Sequence, residues 1–310
     1  MKMLITRMVL AVENFRQWFN AQVAFLPLAV MKLFPADPAI RFADRFARWI
    51  GPKLRKRHHL TLTNLRNAYP EKSEAEREAI ALESWGNIGR MAAEYVFLDT
   101  LFDFDPEQTA PGRIEVSGIE SFLDLRDNPR PFIVFTAHSG NFELLPVAGS
   151  AFGLDVTVLF RPPNNPYIAK KIFDFRKKRM GRLVPSHAGS SFTLARQLER
   201  GGGVGVLVDQ KFHKGVKTTF FGRDVQTNPL LAKLVRQFNC DVFPARCIRL
   251  PDNRYRLELE PAIAIPRKAD GSVDVNATAQ VLNDKVESWV REYPGQWLWY
   301  HDRWNIKRSL

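Results

Sequence analysis

The stretch that decides the fold reads FIVFTAHSGNFELL and occupies residues 132–145. Its first five residues are β-branched or aromatic, and they follow Pro131 directly. A short run of this composition predicts a buried β-strand. His138, a small turn and a helical segment that opens near Asn141 follow. The stretch therefore predicts a strand–turn–helix unit with a histidine at the carboxyl end of the strand.

The rest of the chain repeats this alternation. We predict further strands at 156–160, 204–208, 241–248 and 255–260, and helices at 142–152, 166–180, 191–199, 230–238 and 276–292. Upstream, residues 38–100 carry apolar residues at helical spacing, with a break at Gly51-Pro52 and a helix start after Ser73. Strands that alternate with helices favour an α/β fold with a mixed, partly parallel central sheet flanked by helices.

This pattern also suggests a division of the chain. We predict a membrane-associated helical segment at 1–34 and a main domain at 35–310, which is helical over 35–112 and forms an α/β core over 113–310.

The amino-terminal segment is apolar but short for a membrane span. From Gln17 to Met31 no residue is charged, yet a bilayer crossing needs about 20 apolar residues. Lys2, Arg7 and Arg16 flank the aromatic residues of this run, which is typical of helices that lie in the membrane interface. We predict one or two interfacial helices; a buried core helix and a full membrane span are the alternatives.

His138 and Glu143 are the candidate catalytic pair. In open α/β sheets, ligands bind beyond the carboxyl ends of the strands, where His138 is expected. Glu143 lies five residues later, in the first turn of the expected helix. From there its carboxylate can fold back to one imidazole nitrogen and fix the tautomer, so that the other nitrogen is a general base for a hydroxyl. A simpler interpretation is also open, in which Glu143 complements the helix dipole and His138 is a hydrogen-bonded core histidine.

Several motifs resemble those of one enzyme family. The spacing from His138 to Glu143 resembles the motif shared by the glycerolipid and lipid A acyltransferases, and glutamate in the second position resembles the lipid A branch. Further blocks of that branch are similar to TNLRNAYPE at 63–71, FRPPNNP at 160–166, VDQ at 208–210, TTFFG at 218–222 with Thr227, and YPGQWLWYHDRW at 293–304. The chain thus resembles, over nearly its whole length, the late acyltransferase family of lipid A biosynthesis, of lauroyl- and myristoyltransferase type.

The resemblance implies an acyltransferase of lipopolysaccharide biosynthesis at the cytoplasmic face of the bacterial inner membrane, with a glycerolipid acyltransferase-like fold. Such an enzyme transfers a fatty acyl chain from acyl-acyl carrier protein to a hydroxyl of a Kdo-modified lipid A precursor. We expect direct transfer, because no serine or cysteine elbow lies near His138. No metal or redox cofactor is implied.

Four further residues are candidates for substrate binding. Arg161 and Asn164 lie in the second block; a guanidinium can grip a phosphate with two hydrogen bonds. Asp209 and Gln210 end a predicted strand and either order the site or bind the sugar headgroup. A surface arginine, a turn asparagine and a strand-end cap are the simpler interpretations of these positions.

The charge of the chain fits anionic partners. Lys and Arg number 45 against 33 Asp and Glu, which leaves +12 and a pI near 9.8, with basic clusters at 53–59 and 166–182. Acyl carrier protein, the lipid A precursor and the membrane surface would all be attracted to such patches. One alternative is an acyltransferase for another glycolipid or a lysophospholipid, and another is a non-enzymatic basic protein that binds membrane or nucleic acid. No nucleic-acid-binding signature is present, so we expect no such partner.

The two cysteines, Cys240 and Cys247, match no zinc or redox motif and are expected to be reduced core thiols.

Overall fold

The computed structural model describes residues 2–105, 112–187 and 189–306. The α-helices are α1 (Lys2–Met31), α2 (Ala36–Ile50), α3 (Arg55–Ala68), α4 (Glu74–Leu101), α5 (Ile119–Asp127), α6 (Leu144–Ala151), α7 (Pro166–Lys177), α8 (Ser190–Glu199), α9 (Leu230–Phe238) and α10 (Val275–Glu292). The strands are β1 (Ile114–Ser117), β2 (Phe132–Thr136), β3 (Val156–Phe160), β4 (Arg182–Pro185), β5 (Gly203–Leu207), β6 (Val216–Phe220), β7 (Arg223–Thr227), β8 (Asp241–Arg249) and β9 (Tyr255–Leu259). Parts of the predicted division, at residues 1, 106–111, 188 and 307–310, lie outside the described residues.

Seven of the described strands form one sheet, in the order β1-β9-β8-β2-β5-β3-β4. Its neighbouring strands run parallel, except for the antiparallel pair β8 and β9. Parallel neighbours need long crossover connections, and the intervening helices supply them. The predicted mixed, partly parallel sheet flanked by helices is confirmed. Strands β6 and β7 form a separate antiparallel hairpin.

Strand β2 is central and covered on both sides, because successive side chains of a strand point to opposite faces of the sheet. Ile133 and Phe135 belong to a core cluster that includes residues of α8, α9 and α10. Phe132 and Val134 lie in a second cluster with residues of α5 and α6. The carboxyl end of β2 is thereby held rigidly between two packed layers.

Helix α2 packs closely on α4 and exposes an aromatic face. Its buried residues are Ala39, Ile40, Ala43 and Ala47. The approach is so close that a Cβ at Gly89 of α4 would collide with the backbone of Ala43. On its other face Phe42, Phe46 and Trp49 are exposed by 61%, 49% and 60%.

Helix α1 is one continuous helix with much apolar surface exposed, including Phe15 and Trp18. It is tied to the start of α7, since Asn165 Nδ2 donates to the carbonyl of Gln17 at 2.7 Å. Among the helices of the described chain, none combines the length and apolarity needed to cross a bilayer. The predicted membrane association of residues 1–34 stays a prediction.

The structure adds β1, α5, β4 and the β6–β7 hairpin to the predicted elements, and α6 begins at Leu144 instead of near Asn141. Strands β1 and β4 have four residues each and are only partly buried, so no long apolar run marks them. Cys240 and Cys247 are free and buried, as predicted.

Candidate functional site

Polar side chains meet where two central strands end. Strands β2 and β5 are parallel neighbours, with Thr136 opposite Leu207. His138 stands two residues beyond Thr136, and Asp209 stands two residues beyond Leu207. Equal spacing after paired residues brings both side chains to the same edge of the sheet, together with Gln210.

Asp209 holds His138 in one orientation. Its Oδ1 lies 2.7 Å from His138 Nδ1, and its Oδ2 accepts the His138 backbone N–H at 2.8 Å and the Trp297 indole N–H at 2.8 Å. Burial acts to raise the pKa of the Asp209 carboxyl, but the imidazole and these N–H donors hold that pKa well below its usual range. The ionised carboxylate keeps a proton on Nδ1 and leaves Nε2 as an acceptor. Gln210 Nε2 lies 3.0 Å from His138 Nε2 and donates to it.

The partner predicted for the imidazole is corrected by this geometry, since Asp209 and not Glu143 holds Nδ1. Glu143 immediately precedes α6, and its buried carboxylate forms an ion pair with Arg176 of α7. Because α6 begins only at Leu144, the chain between His138 and the helix is a turn, and it brings Phe142 against the imidazole with ring centroids 4.9 Å apart. A catalytic role of Glu143 stays a prediction, but its carboxylate acts on Arg176.

Arg176 is a candidate that the sequence did not single out. Its side chain is 16% exposed. Burial acts to lower its pKa, but the Glu143 carboxylate raises it above its usual value. Its Nε is buried without a hydrogen-bond partner among the described atoms. In the sequence it is one of seven cations in the basic cluster 166–182, and nothing there distinguishes it from its solvent-facing neighbours.

A buried ionic network supports the turn after His138. Glu94 of α4 is fully buried; it pairs with Arg249, accepts the Tyr255 hydroxyl at 2.7 Å, and accepts the Asn141 side-chain amide at 2.9 Å. Gly140 has φ +58°, and a Cβ there would collide with the carbonyl oxygen of Cys247. Only glycine fits this turn without displacing β8.

An apolar cavity runs between α6 and the sheet, with Glu143 and Arg176 in its wall. Side chains of β2, β3, β5 and α6 line it, including Val134, Val158, Leu207, Leu145 and Pro146. Gly149 of α6 faces this space, because a Cβ added there would meet no atom within 4 Å. The cavity reaches Phe142 and therefore lies one side chain away from His138.

Comparison with known proteins assigns the family. The family model described as bacterial lipid A biosynthesis acyltransferase matches residues 8–306. The chain belongs to this family. It is therefore an acyltransferase of lipid A biosynthesis, which excludes the non-enzymatic basic protein considered above.

The relatives of this lipid A acyltransferase include three Escherichia coli K12 proteins with different names. It is 25% identical to the lipid A biosynthesis myristoyltransferase over 93% of this chain and 88% of that protein. It is 24% identical to the palmitoleoyltransferase, over 94% and 91%, and 23% identical to the lauroyltransferase, over 82% and 81%. Since three relatives of nearly equal identity are named for three acyl groups, identity alone does not select a donor for this enzyme.

The remaining predicted residues of this acyltransferase lie apart from the imidazole. Arg161 and Asn164 follow β3, which is separated from β2 by β5, and both are exposed. Neither side chain makes a hydrogen bond with another described residue. Their binding role stays a prediction, whereas Asp209 and Gln210 both contact His138.

Proposed function

We propose that the enzyme transfers a fatty acyl chain directly from acyl-acyl carrier protein to a hydroxyl of a Kdo-modified lipid A precursor, with His138 as the general base. The observation that carries this proposal is the 2.7 Å contact between Asp209 and His138 Nδ1, beside an apolar cavity. An imidazole whose Nδ1 proton is held by a carboxylate presents Nε2 to take a proton.

In this mechanism Nε2 of His138 takes the proton of the acceptor hydroxyl while the oxygen attacks the thioester carbonyl carbon. The tetrahedral intermediate then breaks its carbon–sulfur bond, and the imidazolium returns the proton to the departing thiolate. Asp209 stabilises the transient imidazolium. Gln210 donates to Nε2 in the free enzyme, so the acceptor hydroxyl replaces this amide when it binds.

The apolar cavity suits the acyl chain of the donor. Its lining is almost wholly hydrocarbon, and each buried methylene contributes about 0.8 kcal/mol. Glu143 and Arg176 stand in its wall together with Phe142, whose ring contacts His138, and the thioester would follow the chain to this end. Glu143 orients Arg176, whose unpartnered Nε–H and cationic charge can stabilise the developing oxyanion. Glu143 therefore keeps a functional role through Arg176.

The basic cluster 166–182 offers a docking surface for the acidic carrier protein. Arg176 is turned inward to Glu143, and Arg179 pairs with Asp99. Lys177 and Lys178 are exposed and form no ion pair with a described residue, so they remain free for a partner. Two exposed cations of α9, Lys233 and Arg236, provide a matched control pair elsewhere on the surface.

The exposed aromatic face of α2 supports a membrane-surface location, as does α1. Phe42, Phe46 and Trp49 contact one another in series, and Lys53 stands 3.0 Å from the centroid of a Trp49 ring. Aromatic side chains flanked by cations are typical of surfaces that enter the headgroup layer of an anionic bilayer. We place this face on the cytoplasmic leaflet of the bacterial inner membrane, where the glycolipid acceptor is embedded.

The proposal is tested with His138→Ala, assayed with acyl-acyl carrier protein and the Kdo-modified precursor by mass spectrometry of the product. Loss of a general base is expected to slow turnover by about 10²- to 10⁴-fold. His59→Ala, at an exposed histidine of α3, is the matched control and should retain wild-type turnover. A folded His138→Ala enzyme with wild-type turnover would refute the mechanism. A wild-type enzyme that is inactive with this donor and acceptor would refute their assignment as its substrates.

A further inference from the structure

A second cavity, whose wall carries several charged side chains, begins at Lys211, the residue after Gln210. Its wall includes Lys211, Lys217, Asp224 and Arg303, with Gln226 and Asn305 beside them. Lys211 directly follows Gln210, the residue that donates to His138 Nε2, and the Lys211 backbone N–H donates to His301 Nε2 at 2.8 Å. The cavity thus lies one residue from the base, yet its wall contains none of the residues assigned above to catalysis or to acyl binding.

Arg303 in this wall is a buried cation that no carboxylate of the described residues contacts. Its side chain donates to the Gln226 carbonyl and to Thr227 Oγ1 at 2.8 Å, and to Asn283 Oδ1 at 3.2 Å. The residue is only 2% exposed, and its Nε has no hydrogen-bond partner within the described chain. Burial lowers the pKa of Arg303 to about 10, and the charge of Asp209 offsets part of that effect.

The other buried guanidiniums of the site region differ from Arg303 in this respect, since Arg176 contacts Glu143 and Arg249 contacts Glu94. Removing a cation from water is costly unless a counter-charge is near. An anion in the cavity would supply the missing counter-charge.

The rim of the cavity adds an accessible cation. Lys211 is bridged to Asp302 at 3.3 Å, so its charge is largely compensated. Lys217 of β6 is exposed and forms no ion pair with a described residue. Asp224 of β7 also lies in the wall, and its negative charge repels an anion. The hairpin therefore carries two opposite charges whose effects on an anionic ligand can be separated by mutation.

We propose that this cavity binds a phosphate group of the glycolipid acceptor and so holds the acceptor while its hydroxyl reaches His138. The inference rests on the proposed function. Phosphate oxygens are strong acceptors for lysine and arginine N–H groups. The phosphate of the donor does not suit this position, because the whole pantetheine arm separates it from the thioester. The wall of this cavity, in contrast, begins at Lys211, directly after the Gln210 that contacts the base. The acyl cavity lies on the face of β2 that carries Val134 and packs on α6, whereas the hairpin beside the second cavity packs, through Phe220 and Val225, in the core cluster of Ile133 and Phe135 on the other face. Donor and acceptor would therefore reach His138 from different sides.

The test compares binding of the full-length enzyme, in detergent micelles, to the phosphorylated precursor and to the same precursor after phosphatase treatment. We expect Lys217→Glu to weaken binding of the phosphorylated form about tenfold and Asp224→Asn to tighten it by about twofold to threefold. Neither substitution should change binding of the dephosphorylated form. Lys214→Glu reverses an exposed charge in the loop that precedes β6, outside the cavity wall, and should shift binding less than about twofold.

The outcomes separate this inference from the proposed function. If Lys217→Glu weakens binding of both forms equally, or of neither form, the cavity does not recognise a phosphate group and the inference is wrong. If inorganic phosphate alone binds the wild type as tightly as the phosphorylated precursor, the cavity is a site for a free anion. Normal turnover without phosphate discrimination would overturn only the cavity, whereas no binding or turnover of either precursor by the wild type would overturn both proposals.

Discussion

Asp209→Asn is the substitution that most directly tests how the imidazole is held. The carboxylate accepts from the His138 backbone and from Trp297 through Oδ2, and from His138 Nδ1 through Oδ1. An asparagine of the same shape keeps its one oxygen where two N–H groups need an acceptor. Its NH₂ group then faces Nδ1 and donates to it. The ring proton is forced onto Nε2, which can no longer take a proton from a hydroxyl.

The size of the effect follows from two losses, the wrong tautomer and the missing stabilisation of the imidazolium. In a serine protease triad, the same exchange at the carboxylate lowers kcat about 10⁴-fold. We expect a fall of about 10³- to 10⁴-fold here, which corresponds to roughly 4–5.5 kcal/mol in the activation barrier. KM should change little, because neither cavity loses a wall residue. Initial rates with carrier-bound donor, together with circular dichroism to verify folding, provide the measurement.

Glu143→Gln is the matched comparison, because it neutralises the carboxylate that the sequence predicts as the partner of His138. It leaves Arg176 without its ion-pair partner in a buried setting, and breaking such a pair typically costs about 3–5 kcal/mol of stability. We therefore expect a lowered melting temperature together with slower turnover. If folded Asp209→Asn retains more than a tenth of the wild-type kcat while Glu143→Gln stays stable and loses all activity, Glu143 would be the residue that holds the base.

Three further changes probe the cavity, the docking surface and the pH dependence. Gly149→Leu fills open space in the apolar cavity. Turnover with the longest accepted donor should therefore fall about tenfold, which corresponds to the binding free energy of about two buried methylenes, whereas turnover with a donor shorter by two to four carbons should be unchanged. Equal losses for all donors in a competition assay would argue against acyl binding there. Reversal of Lys177 and Lys178 to Glu should raise KM for the carrier-bound donor in a salt-dependent way, whereas reversal of the α9 control pair should not; identical kinetics for both variants would exclude this docking surface. Burial lowers the pKa of His301 to about 4, so the unfolded chain takes up its proton first, and the free energy of unfolding should fall by up to about 3 kcal/mol as pH drops from about 6.5 to about 4. His301→Gln should flatten that part of the urea-denaturation profile, and an unchanged slope would contradict the assignment.

Much of the fold is encoded in local patterns. Strands β2, β3 and β8 are apolar runs beside turn residues, and α9 carries apolar side chains at helical spacing, so their bounds follow from the sequence to within a residue. The hairpin β6–β7 has no such run, because only one face of it is buried and Lys217 and Thr219 point outward. Its structure depends on α10, where Asn283 donates to Thr218 and Thr227. Such contacts between distant segments have no local signal.

In the candidate site, too, some features have a local signal in the sequence and others depend on contacts between distant segments. That His138 stands at the end of a strand follows from the residues around it. That Asp209 is its partner depends on β5 lying beside β2, and strand order cannot be read from the chain when three other parallel strands are candidates for that place. The prediction of Glu143 as partner rests on its place five residues after His138, in the first turn of an expected helix, but α6 begins too late to bring it back to the ring. The sequence also does not indicate that Arg176 points inward, since it is one of seven cations in the same basic cluster.

The strand order also bears on how the proposed base, His138, would reach both proposed substrates. Strand β2 is the middle strand of the sheet, so the residue that follows it is accessible from both faces at the carboxyl edge. On one face, α6 leaves an apolar cavity that reaches Phe142; on the other, the loop after Gln210 and the β6–β7 hairpin border a second cavity with a buried guanidinium. A hydrocarbon chain and a phosphorylated headgroup have opposite requirements, and one pocket cannot satisfy both. Separate cavities on the two faces of one sheet would meet both requirements, provided that the base stands at the edge they share, which is where the proposed base, His138, stands.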